Sequence, residues 1–245
     1  MTETFPRNDW YAIADAGGLA PGAVARARLF GKERVLWRDR DGVAHLWDNR
    51  CIHRGMRLHY GFVDSNRLAC RYHGWRFGPH GACAFIPAHP AMTPPGDLRV
   101  PEYPLREAVG LLWANEGTPV ADVPDPVRFG LDPDSLVFSR TIAVRVDAAE
   151  AAAALRGART GAGGPIEVSV HTGGLHVLAN EDGNVPMVLA IQPVEPGSAQ
   201  IHVLATVRPD GATEPAARRR AAAWAVRFRW YVENGRPTDM SWGGW

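Results

Sequence analysis

The chain has 245 residues, 46% of them apolar, with 27 basic against 26 acidic side chains and a net charge of +1. That balance gives no electrostatic reason to expect nucleic acid or an anionic membrane surface as a partner. No stretch approaches the ~18 consecutive apolar residues of a membrane span, and the N-terminus lacks the basic-then-apolar pattern of a signal peptide, so a cytoplasmic protein is expected. Three cysteines in such a chain argue for metal, catalysis or burial rather than a disulfide framework.

Residues 9 to 115 read as short strands eight to twelve residues apart: "ARARLFG", "RVLWRD", "VAHLWDN", "RLACRY" and "GLLWANE". Breaks fall at Gly22, Gly42, Gly78 and Gly81, and the span from Pro87 to Pro104 reads as an irregular excursion. This pattern predicts a small antiparallel β domain over 1–117. Residues 118–135 carry four prolines and four aspartates and read as a linker. Over 136–245 the spacing predicts a strand at 136–146 and a short helix at 147–158 with Asp147 as N-cap. Four further strands follow ("PIEVSVH", "LHVLANE", "PMVLAIQPV", "AQIHVLATVRP"), then a long helix from Glu214 to about Gly235. Ala217, Ala221, Trp224, Phe228 and Tyr231 recur on one face of that helix, which makes it a packing helix rather than a basic nucleic-acid element. The expected fold class is α+β: an antiparallel β domain followed by a reduced antiparallel sheet closed by one long helix.

The chemistry concentrates in "CIHRGMRLHYGFVDSNRLACRYHGWRF", residues 51–77. Cys51-x-His53 and Cys70-x-x-His73, sixteen residues apart, each offer one thiolate and one imidazole. A Cys₂His₂ zinc site is one use of four such ligands, although zinc fingers usually keep their cysteines in one pair and their histidines in the other. The interleaved order suits a [2Fe–2S] cluster in which two thiolates hold one iron and two imidazoles the other. Two buried cysteines beside incidental histidines are the remaining reading. Cys83 lies outside the set of four and reads as a buried packing thiol. His45, His59, His80 and His89 stand singly, as surface or locally hydrogen-bonded histidines.

"CIHRGMRL…LACRYHGWRFGPHGACAFIP" closely resembles the Rieske domain of the Rieske non-haem iron oxygenases. The likeness extends upstream through "DWYAIAD" and "RVLWRDRDGVAHLWDNRC" and downstream to "PEYPLREAVGLLWANEG", about residues 5 to 117. It implies a Rieske [2Fe–2S] cluster on Cys51, His53, Cys70 and His73. Gly55 and Gly74 are expected to bend the loops and to bring N–H groups toward the cluster sulfurs. Respiratory Rieske proteins carry an extra cysteine in each loop, joined as a disulfide; Met56 and Tyr72 stand in those places here, which points to the oxygenase or ferredoxin type.

The resemblance also implies a second domain with a mononuclear iron held by two histidines and a carboxylate. Its sequence sign is a helical Asp-x-x-His-x-x-x-x-His stretch. The corresponding place, "VDAAEAAAALRGARTGAGG", has no histidine. The second half therefore reads as a shortened, helix-grip-like oxygenase domain without its iron helices, and mononuclear Fe(II) is doubtful. His171 and His176 keep the x₄ spacing, but they flank Gly173-Gly174 in β-type sequence. A two-residue hairpin turn there would set them directly opposite on one sheet face, with Glu167, Glu181 and Asp182 as candidate carboxylates.

Three functions follow. The first is an electron-transfer component that takes electrons from a reductase or ferredoxin and works with a complete Rieske oxygenase subunit, in a homo- or hetero-oligomer that the resemblance makes a trimer. The second is a divergent oxygenase using His171 and His176 or a metal ligand supplied by a partner. The third is a redox-sensing or ligand-binding module.

Overall fold

The computed structural model describes residues 4–155, 167–171, 174–179, 187–207 and 213–235. In the first half lie β1 (Tyr11–Asp15), β2 (Val24–Leu29), β3 (Lys32–Arg38), β4 (Ala44–Asp48), β5 (Phe62–Asp64), β6 (Arg67–Ala69), β7 (Arg76–Phe77), β8 (Cys83–Phe85), β9 (Leu105–Ala108) and β10 (Leu111–Ala114). The second half contributes β11 (Leu136–Val144), α1 (Ala148–Leu155), β12 (Glu167–His171), β13 (Leu175–Ala179), β14 (Met187–Glu195), β15 (Ser198–Thr206) and α2 (Glu214–Asn234). Residues 118–135 carry two 3-10 turns, Pro126–Phe129 and Pro133–Ser135, with Asp125 and Asp132 accepting from backbone N–H groups at their starts. Among the described residues no helix is long and apolar enough to cross a membrane.

Among the described residues every strand pairing is antiparallel. The first half forms three small sheets, ordered β2-β3-β4, β5-β6-β7-β8 and β1-β10-β9. Two-residue turns close four of the described hairpins, β2–β3, β5–β6, β9–β10 and β14–β15. Phe30-Gly31 and Val109-Gly110 both have positive φ at each residue, as a tight turn matched to the strand twist requires. The second half is one five-stranded sheet, β11-β15-β14-β13-β12. β1, β5, β7, β8 and β9 are not anticipated from composition. All are short, and "REA" in β9 is too polar to read as a strand without its partner β10.

The near-continuous apolar runs in β14 and β15 are explained by burial on both faces. Leu189, Ile191, Ile201 and Val203 face α1 and α2, packing on Ala151, Leu155, Ala217, Ala221, Trp224 and Phe228. Val188, Ala190 and Leu204 face the other way, onto Trp10, Ala12, Leu111 and Trp113 of the first half. The expected inward face of α2 is the buried one. Asp147 precedes α1 as expected, but its carboxylate accepts from Gly197 N (2.7 Å), tying the helix start to the β14–β15 turn.

Polar contacts fasten the two halves. Phe30 N donates to Pro193 O (2.9 Å) and Gly31 N to Val194 O (2.6 Å). Gln192 Nε2 donates to Arg28 O (2.7 Å), and Arg28 pairs with Glu195 at 2.6 Å. Behind them His202, wholly buried, bonds Thr141 Oγ1 (2.8 Å) and Gln192 Oε1 (3.0 Å) and contacts the Ala12 backbone. Burial pushes its pKa down to about 4, so it is neutral in the folded protein near pH 7. Below about pH 6.5 the unfolded chain binds a proton at this residue that the folded chain refuses until about pH 4. Stability therefore falls on acidification through that window, by on the order of 3 kcal/mol from this residue. Urea titrations between pH 7 and pH 4.5 are expected to show a smaller loss in His202→Gln than in the parent.

Candidate metal centre

Two loops of one design hold the four motif residues. Cys51 follows β4 and Cys70 follows β6. In the first loop Cys51 N donates to Met56 O (2.8 Å) and Gly55 N to Cys51 O (2.8 Å). In the second, Cys70 N donates to Trp75 O (2.8 Å) and Gly74 N to Cys70 O (3.0 Å). Each reversal passes through a glycine of positive φ, +71° at Gly55 and +69° at Gly74. The glycine N–H groups thus close the loops on the cysteine carbonyls rather than pointing at sulfur. The N–H groups that bond the Cys51 sulfur are those of His53 and Arg54.

This backbone sorts the side chains. Cys51 and Cys70 are buried in a core of Val35, Trp37, Trp47, Leu58, Phe77 and Val100. His53 and His73 are exposed, with ring centroids 4.7 Å apart. Trp75 stacks beneath His53 (4.6 Å, 7° between planes) and Tyr72 stacks on His73 (3.8 Å), so each imidazole rests on an aromatic face. The two thiols are in hydrogen-bond contact with each other. The four side chains therefore meet as a sulfur pair on the inside and an imidazole pair on the outside.

The electrostatics suit a metal. Burial first, and then the neighbouring Cys70, push the Cys51 thiol up to about 11 against the opposing backbone N–H groups. Two adjacent buried thiolates need a cation to hold both ionised. His53 is pushed below the ordinary histidine value, by lost hydration and then by His73 and Arg54, which favours the neutral imidazole that binds metal. Among the described residues no three His, Cys, Asp or Glu side chains converge as a single-metal group. A two-iron cluster asks each iron for only two protein ligands, so the paired donors fit.

A contributor missed in the sequence is Asn49, fully buried just before the first loop. Its Oδ1 accepts from His59 N (2.9 Å), its amide bonds His59 Nδ1 (2.7 Å), and its carbonyl accepts from Leu58 N (3.1 Å). It pins the far end of the Cys51 loop to its start. The only hint was an asparagine between Asp48 and Arg50, two residues before Cys51. His45 bonds Asp39 six residues away, His80 bonds Glu102 from a distant segment, and His89 is exposed. Cys83 is buried in the same core, its thiol pushed up by burial.

The expectation for His171 and His176 is corrected by the register. His176 pairs with Val170, and His171 with Leu175. The histidine positions are one step out of register, and because strand positions alternate they belong to opposite faces of the sheet. His176 is fully buried on the face of Leu178, with Nδ1 2.8 Å from Gly174 O. Gly174 has φ +65°, and a Cβ there would meet Ile191 O at 2.5 Å, so the turn is fitted against β14. Glu167 pairs with Ala179. Glu181, Asp182, Gly173, the "ARTGAGG" loop and the C-terminal "MSWGGW" lie outside the described residues.

Fold and paired loops together define an iron–sulfur domain mounted on an α+β sheet. Residues 9–104 match the family model described as the Rieske [2Fe-2S] domain. Over 113 residues the chain is 42% identical to "Oxidoreductase NdmD" of Pseudomonas putida, covering 46% of this chain and 19% of that protein. It is 36% identical over 124 residues to the 5,5'-dehydrodivanillate O-demethylase oxygenase subunit of Sphingobium sp., covering 49% and 29%. The solved structure of Pseudomonas putida CBB5 NdmB aligns over 98% of this chain and 85% of that one, with TM-score 0.71 and 17% identity, which shows the shared fold. The chain carries a Rieske [2Fe–2S] domain over residues 9–104, and its relatives in sequence are named as an oxidoreductase and an oxygenase subunit. It spans about a fifth to a third of the length of these curated relatives.

The loop glycines make a graded prediction. A Cβ at Gly74 would come within 3.0 Å of Pro87 Cγ, whereas at Gly55 nothing lies within 4 Å. Gly55→Ala carries only the backbone strain of positive φ, about 1–2 kcal/mol. Gly74→Ala is expected to destabilise more, and thermal unfolding of the two variants checks the order.

Proposed function

We propose that this protein is a Rieske-type electron carrier, derived from the ring-hydroxylating oxygenases and working with a partner oxygenase subunit rather than through a mononuclear iron of its own. In this reading Cys51 and Cys70 would hold one iron of the cluster, His53 and His73 the other. A [2Fe–2S] cluster held there supplies one-electron transfer. The protein residues around it do the rest. The buried thiol pair and its apolar core keep water from the sulfur side, and the exposed imidazoles make the surface edge through which a reductase or ferredoxin reaches it. We divide the chain into a Rieske domain (1–117), a linker (118–135) and a reduced oxygenase-type domain (136–245).

The observation that carries the reading is the pairing of a complete four-donor cradle with a second half occupied by packing. The segment 147–165, where the oxygenase resemblance places iron-binding histidines, has none. Its helix α1 buries Ala148, Ala151, Ala152 and Leu155 against the sheet. The face of the sheet beneath α2 is filled by Ile201, Val203, Trp224 and Phe228. One relative named as an oxidoreductase and another named as an oxygenase subunit support a role as a component of a larger system. The register of β12 and β13, with His171 opposite Leu175 and His176 opposite Val170, favours this reading over a paired-histidine route to a second iron.

Metal analysis tests this directly. Two irons and two acid-labile sulfides per chain are expected, with the rhombic EPR signal of a reduced Rieske centre and no further iron. Cys51→Ala or His73→Ala is expected to abolish the signal, while Cys83→Ala keeps it. A third, mononuclear iron in the purified chain, with oxygen-dependent turnover, overturns the proposal.

A further inference from the structure

At the seam between the two halves lies a cleft of about 350 Å³, lined by no residue of the two metal-binding loops. The first half supplies Phe5, Arg7 and Phe30. The second supplies Asp147 at the start of α1, with Pro193 and Pro196 from the β14–β15 hairpin. Its volume lies within the roughly 300–1,000 Å³ of small-molecule sites. Phe30 and Pro193 also carry the junction bond from Phe30 N to Pro193 O (2.9 Å), so the cleft opens directly over the contact that joins the halves.

The aromatic walls are held from behind. Phe5 stacks on Tyr11 (ring centroids 5.9 Å apart, 29° between planes), and Phe30 meets the same fully buried ring edge-on (5.3 Å, 85°). Both phenyl rings stay partly exposed. The Arg7 guanidinium is placed over the Phe30 ring, 4.8 Å from its centroid. Three charged side chains line the cleft: Arg7, Asp147 and Glu195. Glu195 is paired with Arg28 at 2.6 Å. Neither Arg7 nor Asp147 has an opposite charge within ion-pair distance among the described residues. Asp147 accepts one hydrogen bond, from Gly197 N, and its position is fixed by it.

One free cation and one free carboxylate therefore face an apolar, aromatic cleft. An anionic ligand would bring a like charge to Asp147, and a cationic one a like charge to Arg7. A ligand with one charge of each sign satisfies both. We infer that this cleft binds a small aromatic zwitterion of the α-amino acid class, with its ring packed on Phe5 and Phe30, its carboxylate on Arg7 and its ammonium on Asp147. Offset or edge-on ring contacts and charge-assisted hydrogen bonds supply the affinity. The inference is independent of the electron-carrier reading. Because the ligand touches both halves, its binding clamps the seam and stabilises the folded chain by mass action.

The test is calorimetric titration of the cluster-loaded chain with four probes. L-phenylalanine carries the ring and both charges, hydrocinnamate lacks the ammonium, phenethylamine lacks the carboxylate, and L-alanine lacks the ring. Phenylalanine is expected to bind, and each of the other three to bind about tenfold more weakly or less, since each loses one contact. Arg7→Gln is expected to reduce phenylalanine to the level of phenethylamine. Asp147→Asn, whose amide oxygen still accepts from Gly197 N, is expected to reduce it to that of hydrocinnamate. Arg219→Gln, on the exposed side of α2, is expected to bind as the parent does. Phenylalanine is expected to raise the thermal unfolding midpoint of the parent and not that of the Arg7→Gln/Asp147→Asn double variant. Iron content and EPR on each preparation check that the cluster is retained, and the probe series on the parent decides even where a variant misfolds. Absent phenylalanine binding, binding unchanged by either substitution, or equal binding of the three ring-bearing probes overturns the inference.

Discussion

Thiol inside and imidazole outside is the division on which the chemistry of this protein depends, and it is imposed by backbone hydrogen bonds. Each loop leaves a cysteine, turns through four residues and returns, with the cysteine N–H bound five residues on and the glycine N–H bound back to the cysteine carbonyl. A glycine of positive φ makes the return possible without strain. Because the loop is closed at the cysteine, its side chain points into the core while the histidine beyond it is thrust to the surface. The spacing between cysteine and histidine differs by one residue in the two loops, yet both imidazoles emerge beside each other. The aromatic rings of Trp75 and Tyr72 then fix their planes.

The loops in turn need a rigid base. Asn49 ties the first loop to the turn at His59, and the core of tryptophans and aliphatic side chains behind the sulfurs excludes water from them. The first half is braced by the second through the strand pair β14–β15, which is buried on both faces and acts as a wall shared by two cores. The Phe30-Gly31 turn and the His202–Gln192–Thr141 network complete that junction. The five-stranded sheet of the second half serves, in our reading, as the mount for a redox domain.

Much of the molecule was legible before folding was considered. The Cys-x-His and Cys-x-x-His pairs are dense in chemistry and local in sequence, so their meaning survives without coordinates. The face of α2 carrying Trp224, Phe228 and Tyr231 was legible because helical periodicity is local as well. What escaped was long-range. Strands β7 and β9 exist because partners lie beside them, and nothing in "RF" or "LREA" announces that. Asn49 looked like a polar residue before a motif, and only its bonds to His59 make it part of the cradle. The two histidines at 171 and 176 looked paired because their separation was read as a tight turn, whereas the register that sets them on opposite faces is fixed by how β13 lies against β14.

The sequence by itself determined the cofactor class, the donor set proposed for it and the α+β division, since each follows from residue types at short spacing. Tertiary structure decided which of the four donors face in and which face out, and that positions 171 and 176 pair with Leu175 and Val170 rather than with each other. The physical reason is range. Ligand chemistry and periodicity are properties of a few neighbouring residues. Burial, register and the pairing of charges depend on which distant segments are brought against them.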